Sequence, residues 1–211
     1  MKLNIKPYIE QQKVWPKTGH HIMAQYDESE IIVYQSYRPE IGNFASDNNY
    51  FGGAFSLNRM TWIKPNFLWM MYRNGWATKE GQETVLAIHL RRDAFERYLN
   101  QAVYSSYQSD LYETREHWQE EVQNSSIRLQ WDPDHDPYGA KLERRAIQIG
   151  IRGNEVKQYA KDDILEIEDI TPFVKEQYNH VLNNQLDKLM VPEEHPLILD
   201  SESLKQQLRL Q

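Results

Sequence analysis

The sequence contains no cysteine. This absence excludes disulfide bonds, thiolate nucleophiles and zinc sites built from cysteine. The seven histidines do not follow the HExxH spacing of a zinc-binding helix or another ligand spacing of that kind. We therefore expect no metal cofactor.

Long apolar runs and an excess of positive charge are also missing. No stretch approaches the roughly 20 apolar residues of a transmembrane helix, and residues 1–17 lack the apolar segment of a signal peptide. The net charge is −7, which does not favour nucleic acid as a partner, because broad binding of phosphate backbones needs positive charge. We expect a soluble, cytoplasmic protein that has no membrane partner.

No linker rich in proline, glycine or serine divides the 211 residues, and no internal repeat is present. The chain also lacks the GxGxxG, Walker and GxSxG motifs. We predict a single domain over residues 1–211. Its core should span about residues 31–191, and a polar tail beyond Pro192 should lie on the surface or fray.

The hydrophobic pattern predicts a mixture of strands and helices. β-Branched and alternating segments indicate strands at 30–36, 84–90, 125–131, 145–151 and 163–169. Amphipathic or capped segments indicate helices that begin at Pro39, Pro65, Arg92, Asn154 and Thr171, the last running to about residue 189. Since strands and helices do not alternate strictly, the expected class is α+β, with a mixed or antiparallel sheet and packed helices.

Residues 55–76 combine apolar and cationic side chains. The segment holds three of the six tryptophans, and Arg59, Lys64 and Arg73, but no acidic residue. Packing in the core explains the aromatic residues, yet cations are rarely buried without partners. The alternative is a ligand site in which Trp62 and Trp76 form an aromatic wall and the cations hold an anion. We expect at least two of these cations to meet at one concave site.

Two acidic segments allow more than one interpretation. Asp132, Asp134, Asp136 and Glu143 match positions of an EF-hand loop, but Pro137 occupies the position that requires glycine. An acidic turn is therefore favoured over a calcium site. Glu166 and Glu168 lie on one face of a predicted strand, where they form either a solvated face or a pair of catalytic carboxylates.

Most of the chain resembles a known family. The segments FGGAFSLNRMTWIKPNFLWMMYRNGWATKEGQETVLAI, LQWDPDHDP, RRAIQIGIRG and EIEDITPFV resemble the family catalogued as domain of unknown function 4291. This resemblance spans about residues 31–191. It implies a single-domain protein of a mainly bacterial family and implies no activity.

Three short segments also resemble ADP-ribosyltransferases. VYQSYRP, FSLNRMTW and EIE occur in the order of that family's site segments. The resemblance implies an ADP-ribosyltransferase-like fold and an NAD-dependent transferase with Gln35, Glu166 and Glu168 as catalytic residues. A glutamate would stabilise the ribosyl cation while aromatic side chains stack on nicotinamide. Gln35 stands where the family has arginine or histidine, and Arg38 follows three residues later.

The predicted function is a nucleotide-handling transferase that uses NAD. Its ligand-binding residues would be Arg38, Arg59, Trp62, Lys64, Arg73 and Trp76. The alternative is a non-enzymatic module that binds a small ligand, a protein or a nucleic-acid end. In a third interpretation, residues 55–76 are only core.

Overall fold

The computed structural model describes residues 2–211 of the chain, which form eight helices and twelve strands. The helices are α1 (Tyr8–Val14), α2 (Pro39–Asn48), α3 (Phe67–Asn74), α4 (Arg92–Gln101), α5 (Arg115–Asn124), α6 (Asn154–Lys161), α7 (Thr171–Leu182) and α8 (Glu202–Leu208). The strands are β1 (Ile5–Pro7), β2 (Gly19–His20), β3 (Met23–Ala24), β4 (Glu30–Tyr37), β5 (Thr61–Ile63), β6 (Thr84–Arg91), β7 (Val103–Tyr104), β8 (Ile127–His135), β9 (Lys141–Ile151), β10 (Ile164–Asp169), β11 (Met190–Pro192) and β12 (His195–Pro196).

Two larger sheets form the centre of the molecule. The first sheet is antiparallel, with the strand order β10-β6-β4. The second has the order β2-β9-β8-β7, and β5 adds to β9. It is mixed, because β2 and β7 pair in parallel with their neighbours. An isolated bridge between Tyr34 and Lys64 joins β4 to the end of β5. The prediction of a mixed α+β fold is confirmed.

The core lies on both faces of the first sheet. Ile31 and Val33 of β4 and Leu86 of β6 belong to one buried cluster, whereas Ile32 and Val85 belong to a second. This division follows from the strand geometry, since successive side chains point to opposite faces. The strand runs predicted from their β-branched residues are therefore buried on both sides.

Helix α3 begins two residues later than its proline suggests. Asn66 is the N-cap, and its side-chain oxygen accepts a hydrogen bond of 2.7 Å from the Trp69 backbone. The Glu194 carboxylate accepts a second bond of 2.6 Å from the Phe67 backbone. Gly75 ends the helix in the left-handed conformation, with φ of 59°. Both ends of α3 are thus fixed, and Arg73 in its last turn has a defined position.

The region beyond Pro192 differs from the predicted polar tail. Glu194 is 2% exposed, and Leu204 and Leu208 of α8 are buried in the core. The tail pairs through β12 with β3, so the core also extends outside residues 31–191. Apolar residues spaced four apart, Leu204 and Leu208, indicate a short amphipathic helix. The prediction gave the surrounding polar residues too much weight.

Two predicted boundaries also need correction. Helix α7 ends at Leu182 rather than near residue 189, since Asn184 adopts a positive φ of 55° and breaks the helical path. The acidic segment at 132–143 is mostly strand: β8 continues to His135 and β9 starts at Lys141. Within residues 2–211, no helix combines the length and the apolar character needed to cross a membrane.

Candidate functional site

A cavity of about 750 Å³ opens beside the end of β4. Of the residues singled out in the sequence, six line it: Gln35, Arg38, Arg59, Trp62, Lys64 and Arg73. Trp76, Glu166 and Glu168 are not among its lining residues. We call this site the cationic cavity. It brings four cations from separate segments of the chain to one concave surface.

Secondary structure accounts for the convergence of these side chains. Gln35 lies near the end of β4, and Arg38 is the next residue after that strand, at the N-cap position of α2. Trp62 and Lys64 come from β5 and the residue that follows it, and Arg73 comes from the last turn of α3. The backbone bond from the Tyr34 N–H to the Lys64 carbonyl, 2.7 Å long, holds these segments together.

Positive charge is not balanced by acids in the cavity wall. Among the described residues, none of those lining the cavity is acidic. Arg38 forms an ion pair of 3.1 Å with Glu40, but both side chains are largely exposed, and such pairs are weak. The Asp132 carboxylate lies next to the wall, on the same face of β8 as Gln130, and it accepts hydrogen bonds from the lining amides of Gln130 and Gln148. The cavity therefore favours an anionic ligand.

Lys64 is the buried cation of the group. Its residue is 6% exposed, its Nζ donates a 3.3 Å hydrogen bond to the Trp62 carbonyl, and it lies 5.6 Å from the centre of the Trp69 ring. The pKa of Lys64 is lowered to about 7, mainly by burial and then by the positive charge of Arg73, against a weaker effect of Asp132. Near neutral pH a large share of Lys64 is thus a neutral amine.

This depressed pKa predicts a specific pH dependence of stability. Between about pH 7 and 10.5 the unfolded lysine binds more protons than the folded one, so wild-type stability rises with pH. Lys64→Met removes this contribution. Buried sites behave as if their effective dielectric constant were near 20, which makes the cost of burying the charge moderate. We therefore expect the free energy of unfolding of the wild type to rise by about 2–3 kcal/mol relative to that of the variant across this window. Chemical denaturation of both proteins from pH 6 to 10 measures the difference, and parallel curves would contradict it.

The Gln35 side chain is part of the cavity wall, and both its nitrogen and its oxygen have hydrogen-bond partners. Its amide nitrogen donates to the Thr61 hydroxyl at 2.6 Å and to the Trp62 carbonyl at 3.0 Å. Its oxygen accepts from the Tyr159 hydroxyl at 2.6 Å. Tyr37 also bonds Thr61, at 2.9 Å. These contacts connect β5 to β4 and engage both polar atoms of the Gln35 side chain.

Trp62 offers the cavity an aromatic surface. The residue is half-buried and lies opposite Gly150 in the pairing of β5 with β9. A Cβ atom at Gly150 would approach the Trp62 ring to 3.0 Å and the Met60 sulfur to 2.9 Å. Because glycine has no side chain, the space beside Gly150 is available to the Trp62 and Met60 side chains.

Trp76 belongs to a different part of the molecule. It is buried, its ring stacks on Tyr178 with centroids 5.8 Å apart, and its indole N–H donates to the Pro137 carbonyl at 3.2 Å. Gly75 ends the helix before Trp76, and Trp76 itself adopts a positive φ of 55°. The predicted aromatic wall thus contains Trp62 without Trp76.

Glu166 and Glu168 lie on the opposite face of the first sheet from Gln35. Gln35 pairs with Leu86, whereas Glu168 pairs with the adjacent residue Ala87 and Glu166 with His89. Neighbouring residues of β6 point to opposite faces. The sheet therefore separates both carboxylates from the Gln35 side chain, which does not support the catalytic pairing that the sequence suggested.

A separate polar cluster surrounds His89 on that face. The fully buried imidazole bonds Glu30 at 3.0 Å through Nδ1 and Glu168 at 2.7 Å through Nε2. His89, Glu166 and Glu168 each place a ligand atom within 4.8 Å of the others. Their composition suits a divalent cation. However, both imidazole nitrogens already have carboxylate partners, so this geometry alone does not define a metal centre.

The aspartates of the acidic segment have structural partners. Asp134 is fully buried and accepts two hydrogen bonds from Arg144, at 2.8 and 2.5 Å. The Asp136 side chain accepts from the Tyr138 and Ala140 backbone N–H groups, as predicted for an acidic turn. Neither arrangement follows an EF-hand loop, in which these carboxylates would all turn towards one ion.

Sequence reasoning missed several residues of the site. The segments that carry the family resemblances contain four further lining residues that were not singled out for the site: Tyr37, Thr61, Gln130 and Gln148. The two glutamines alternate with apolar neighbours in β8 and β9, which indicates only that they face away from the core. The register that pairs Gln130 with Gln148 brings them together. A pairing across 18 positions of the chain gives no local signal.

The fold and the cavity define a class: an α+β protein with a concave surface lined by four cationic side chains. The sequence model of a family described as a domain of unknown function, DUF4291, matches residues 21–197. The chain belongs to this family. No curated protein matches it.

Proposed function

We propose that the protein binds a nucleotide in the cationic cavity and holds it by its phosphates. The observation that carries this proposal is the set of four cations, with no acidic residue among the described residues of the wall. Arginine side chains bind phosphate oxygens with two parallel hydrogen bonds. Arg59 and Arg73 are exposed enough to reach a ligand in the opening.

Size and aromatic surface favour a nucleotide over inorganic phosphate. The volume of about 750 Å³ lies within the range of about 300–1,000 Å³ that is typical of small-molecule sites. Trp62, Tyr37 and Phe55 supply aromatic surface in the wall. A nucleobase can stack on such a surface while its phosphates contact the arginines.

A more specific proposal is that the protein transfers ADP-ribose from NAD. An adenine dinucleotide suits a cavity that combines arginines with an indole. Glu166 and Glu168 lie on the opposite face of the first sheet from Gln35. We therefore do not assign them as the groups that act on the ribose. Release of nicotinamide by the wild-type protein would support the transferase. Binding without turnover would favour the non-enzymatic module.

Arg59→Met is expected to weaken binding of ATP about tenfold. The methionine keeps part of the side-chain bulk but removes the charge, and a tenfold change in Kd corresponds to about 1.4 kcal/mol, as expected for a partly exposed charged hydrogen bond. Isothermal titration calorimetry with ATP, NAD and adenosine at two salt concentrations measures the effect. Adenosine should bind more weakly than ATP, and the salt dependence should be lower in the variant.

Arg91→Met is the matched control. Arg91 lies at the other end of the first sheet, opposite Glu30, and pairs with exposed Asp93, so its removal should leave ATP binding unchanged. If ATP does not bind, or if Arg59→Met and Arg91→Met bind it as the wild type does, the phosphate site is not in this cavity.

A further inference from the structure

We propose that Lys64 is a nucleophile that attacks the α-phosphorus of a nucleoside triphosphate bound in the cationic cavity and forms a covalent lysyl–nucleotide intermediate. This inference rests on the proposed function and adds a reaction to it. It assigns nucleotidyl transfer as the chemistry of the site, carried out by a residue of the wall.

The position of the amine is the first argument. Lys64 is the only lysine among the described residues that line the cavity, and it has no carboxylate within ion-pairing distance there. Its hydrogen bond goes to the Trp62 carbonyl, and the Trp69 ring covers one side. A structural lysine at this depth would be expected to pair with an acid. Nucleophilic lysines are instead desolvated and lie beside another cation, as Lys64 lies near Arg73.

The protonation state supports the same assignment. Attack requires the free amine, and the pKa of Lys64 is lowered to about 7 by burial and by Arg73. A nucleophile of this pKa is partly unprotonated at neutral pH without a separate general base. No histidine, aspartate or glutamate among the described residues of the wall could serve as that base.

The surroundings favour phosphorus over a carbonyl as the reacting centre. Imine formation needs a group that protonates the departing hydroxyl, and burial raises the pKa of Tyr37, whose hydroxyl already bonds Thr61. Pyrophosphate leaves without such a proton. Transfer at phosphorus depends mainly on positioning and on the stabilisation of negative charge, which Arg38, Arg59 and Arg73 can provide.

The step balances without an oxidant or a reductant. The Lys64 lone pair forms an N–P bond to the α-phosphorus while the bond from this phosphorus to the bridging oxygen breaks. Pyrophosphate leaves with the bond's electrons, and the amine gives one proton to solvent. Transfer of the nucleotidyl group to an acceptor would regenerate Lys64.

Intact-protein mass spectrometry tests the proposal. The full chain is incubated separately with the magnesium salts of ATP, GTP, CTP and UTP. One of them should add the mass of a single nucleotidyl group, which is a nucleoside monophosphate less one water, and release about one pyrophosphate per chain. The adduct should be lost in acid and retained in alkali, as a phosphoramidate is, and peptide mapping should place it on Lys64. Its rate of formation should rise with pH through about 7 or above, since bound phosphate favours the charged amine.

Lys64→Met and Lys64→Gln should form no adduct while they remain folded, as judged by circular dichroism. Lys157→Met, which changes an exposed lysine of α6, should form the adduct at the wild-type rate. An adduct on another residue overturns the proposal. So does the absence of adduct from a chain that binds the triphosphate by calorimetry, an outcome that leaves the proposed nucleotide site intact. Failure of all four triphosphates to bind overturns both.

Discussion

Replacing Trp69 with alanine is expected to lower the free energy of unfolding by about 3–5 kcal/mol, the range for truncation of a large aromatic residue in a core. Trp69 lies in α3 and is 5% exposed. Its ring contacts Tyr72 edge-on and covers the Lys64 ammonium. The substitution removes this packing and leaves a cavity beside the most buried cation of the site. Urea denaturation monitored by circular dichroism measures the effect.

Val14→Ala provides the comparison, because Val14 is 77% exposed and exposed substitutions change stability by about 0.5 kcal/mol or less. A loss below about 1 kcal/mol for Trp69→Ala would show that α3 is not packed as described. Since Lys64 precedes this helix and Arg73 lies in its last turn, the same variant should also weaken nucleotide binding. Weaker binding at unchanged stability would instead indicate that Trp69 contacts the ligand.

Arg144→Met is expected to destabilise the protein by about 3–5 kcal/mol, because it leaves one member of a buried ion pair without its partner. The Arg144 and Asp134 side chains are 3% and 0% exposed. Arg144 also donates to the Pro16 carbonyl at 2.8 Å and lies 5.2 Å from the centre of the Trp15 ring. It therefore connects the N-terminal segment to the β8–β9 hairpin.

The effect of Arg144→Met should depend on pH. Burial raises the pKa of Asp134 even with Arg144 present, and loss of the guanidinium should raise it further. At low pH the protonated carboxyl no longer carries an unpaired charge, so the difference from the wild type should shrink as pH falls from 7 towards 4. Denaturation curves at both values test this sign, and a larger difference at pH 4 would contradict it.

Two comparison variants distinguish the loss of the buried ion pair from the general effect of removing an arginine. Arg91→Met removes an exposed ion pair, which contributes about 0–1 kcal/mol. Asp134→Asn combined with Arg144→Met should recover part of the lost stability, because the buried charge is gone. If the double variant is as unstable as the sum of the two single variants, the two side chains do not interact.

The buried ion pair is connected to α3, because the Asp134 carboxylate that pairs with Arg144 also accepts a 3.5 Å hydrogen bond from Asn66, the N-cap of that helix. The Asn66 amide donates to Glu194 at 3.2 Å, and the Glu194 carboxylate receives the Phe67 backbone N–H. Burial raises the pKa of Glu194 well above its ordinary value. Asp134, Arg144 and Glu194 thus form a buried polar base beneath the helix that carries Arg73.

Local patterns were sufficient for most of the secondary structure. The strand at β4 and the helix α3 follow from β-branched runs and from a glycine C-cap. Four short strands, β2, β3, β7 and β12, have two residues each, and no periodicity develops over that length. The register of such pairs is decided by contacts with the rest of the fold.

The sequence by itself determined that this chain forms an α+β protein and that residues 55–76 hold cations among aromatic residues without a local acid. It could also place Gly75 at the end of a helix, because few other residues adopt a positive φ at low energy. These properties depend on residues close together in the chain.

Only the tertiary structure decided which of those residues share a site. Lys64 and Trp62 line the cavity, whereas Trp76 turns to Tyr178 and Glu168 lies across the first sheet with His89. The physical reason is that a one-residue difference along a strand reverses the face on which a side chain lies. The pairing of β4, β6 and β10 therefore separated the predicted carboxylates from the Gln35 side of the sheet, a result that no pattern within one strand can reveal.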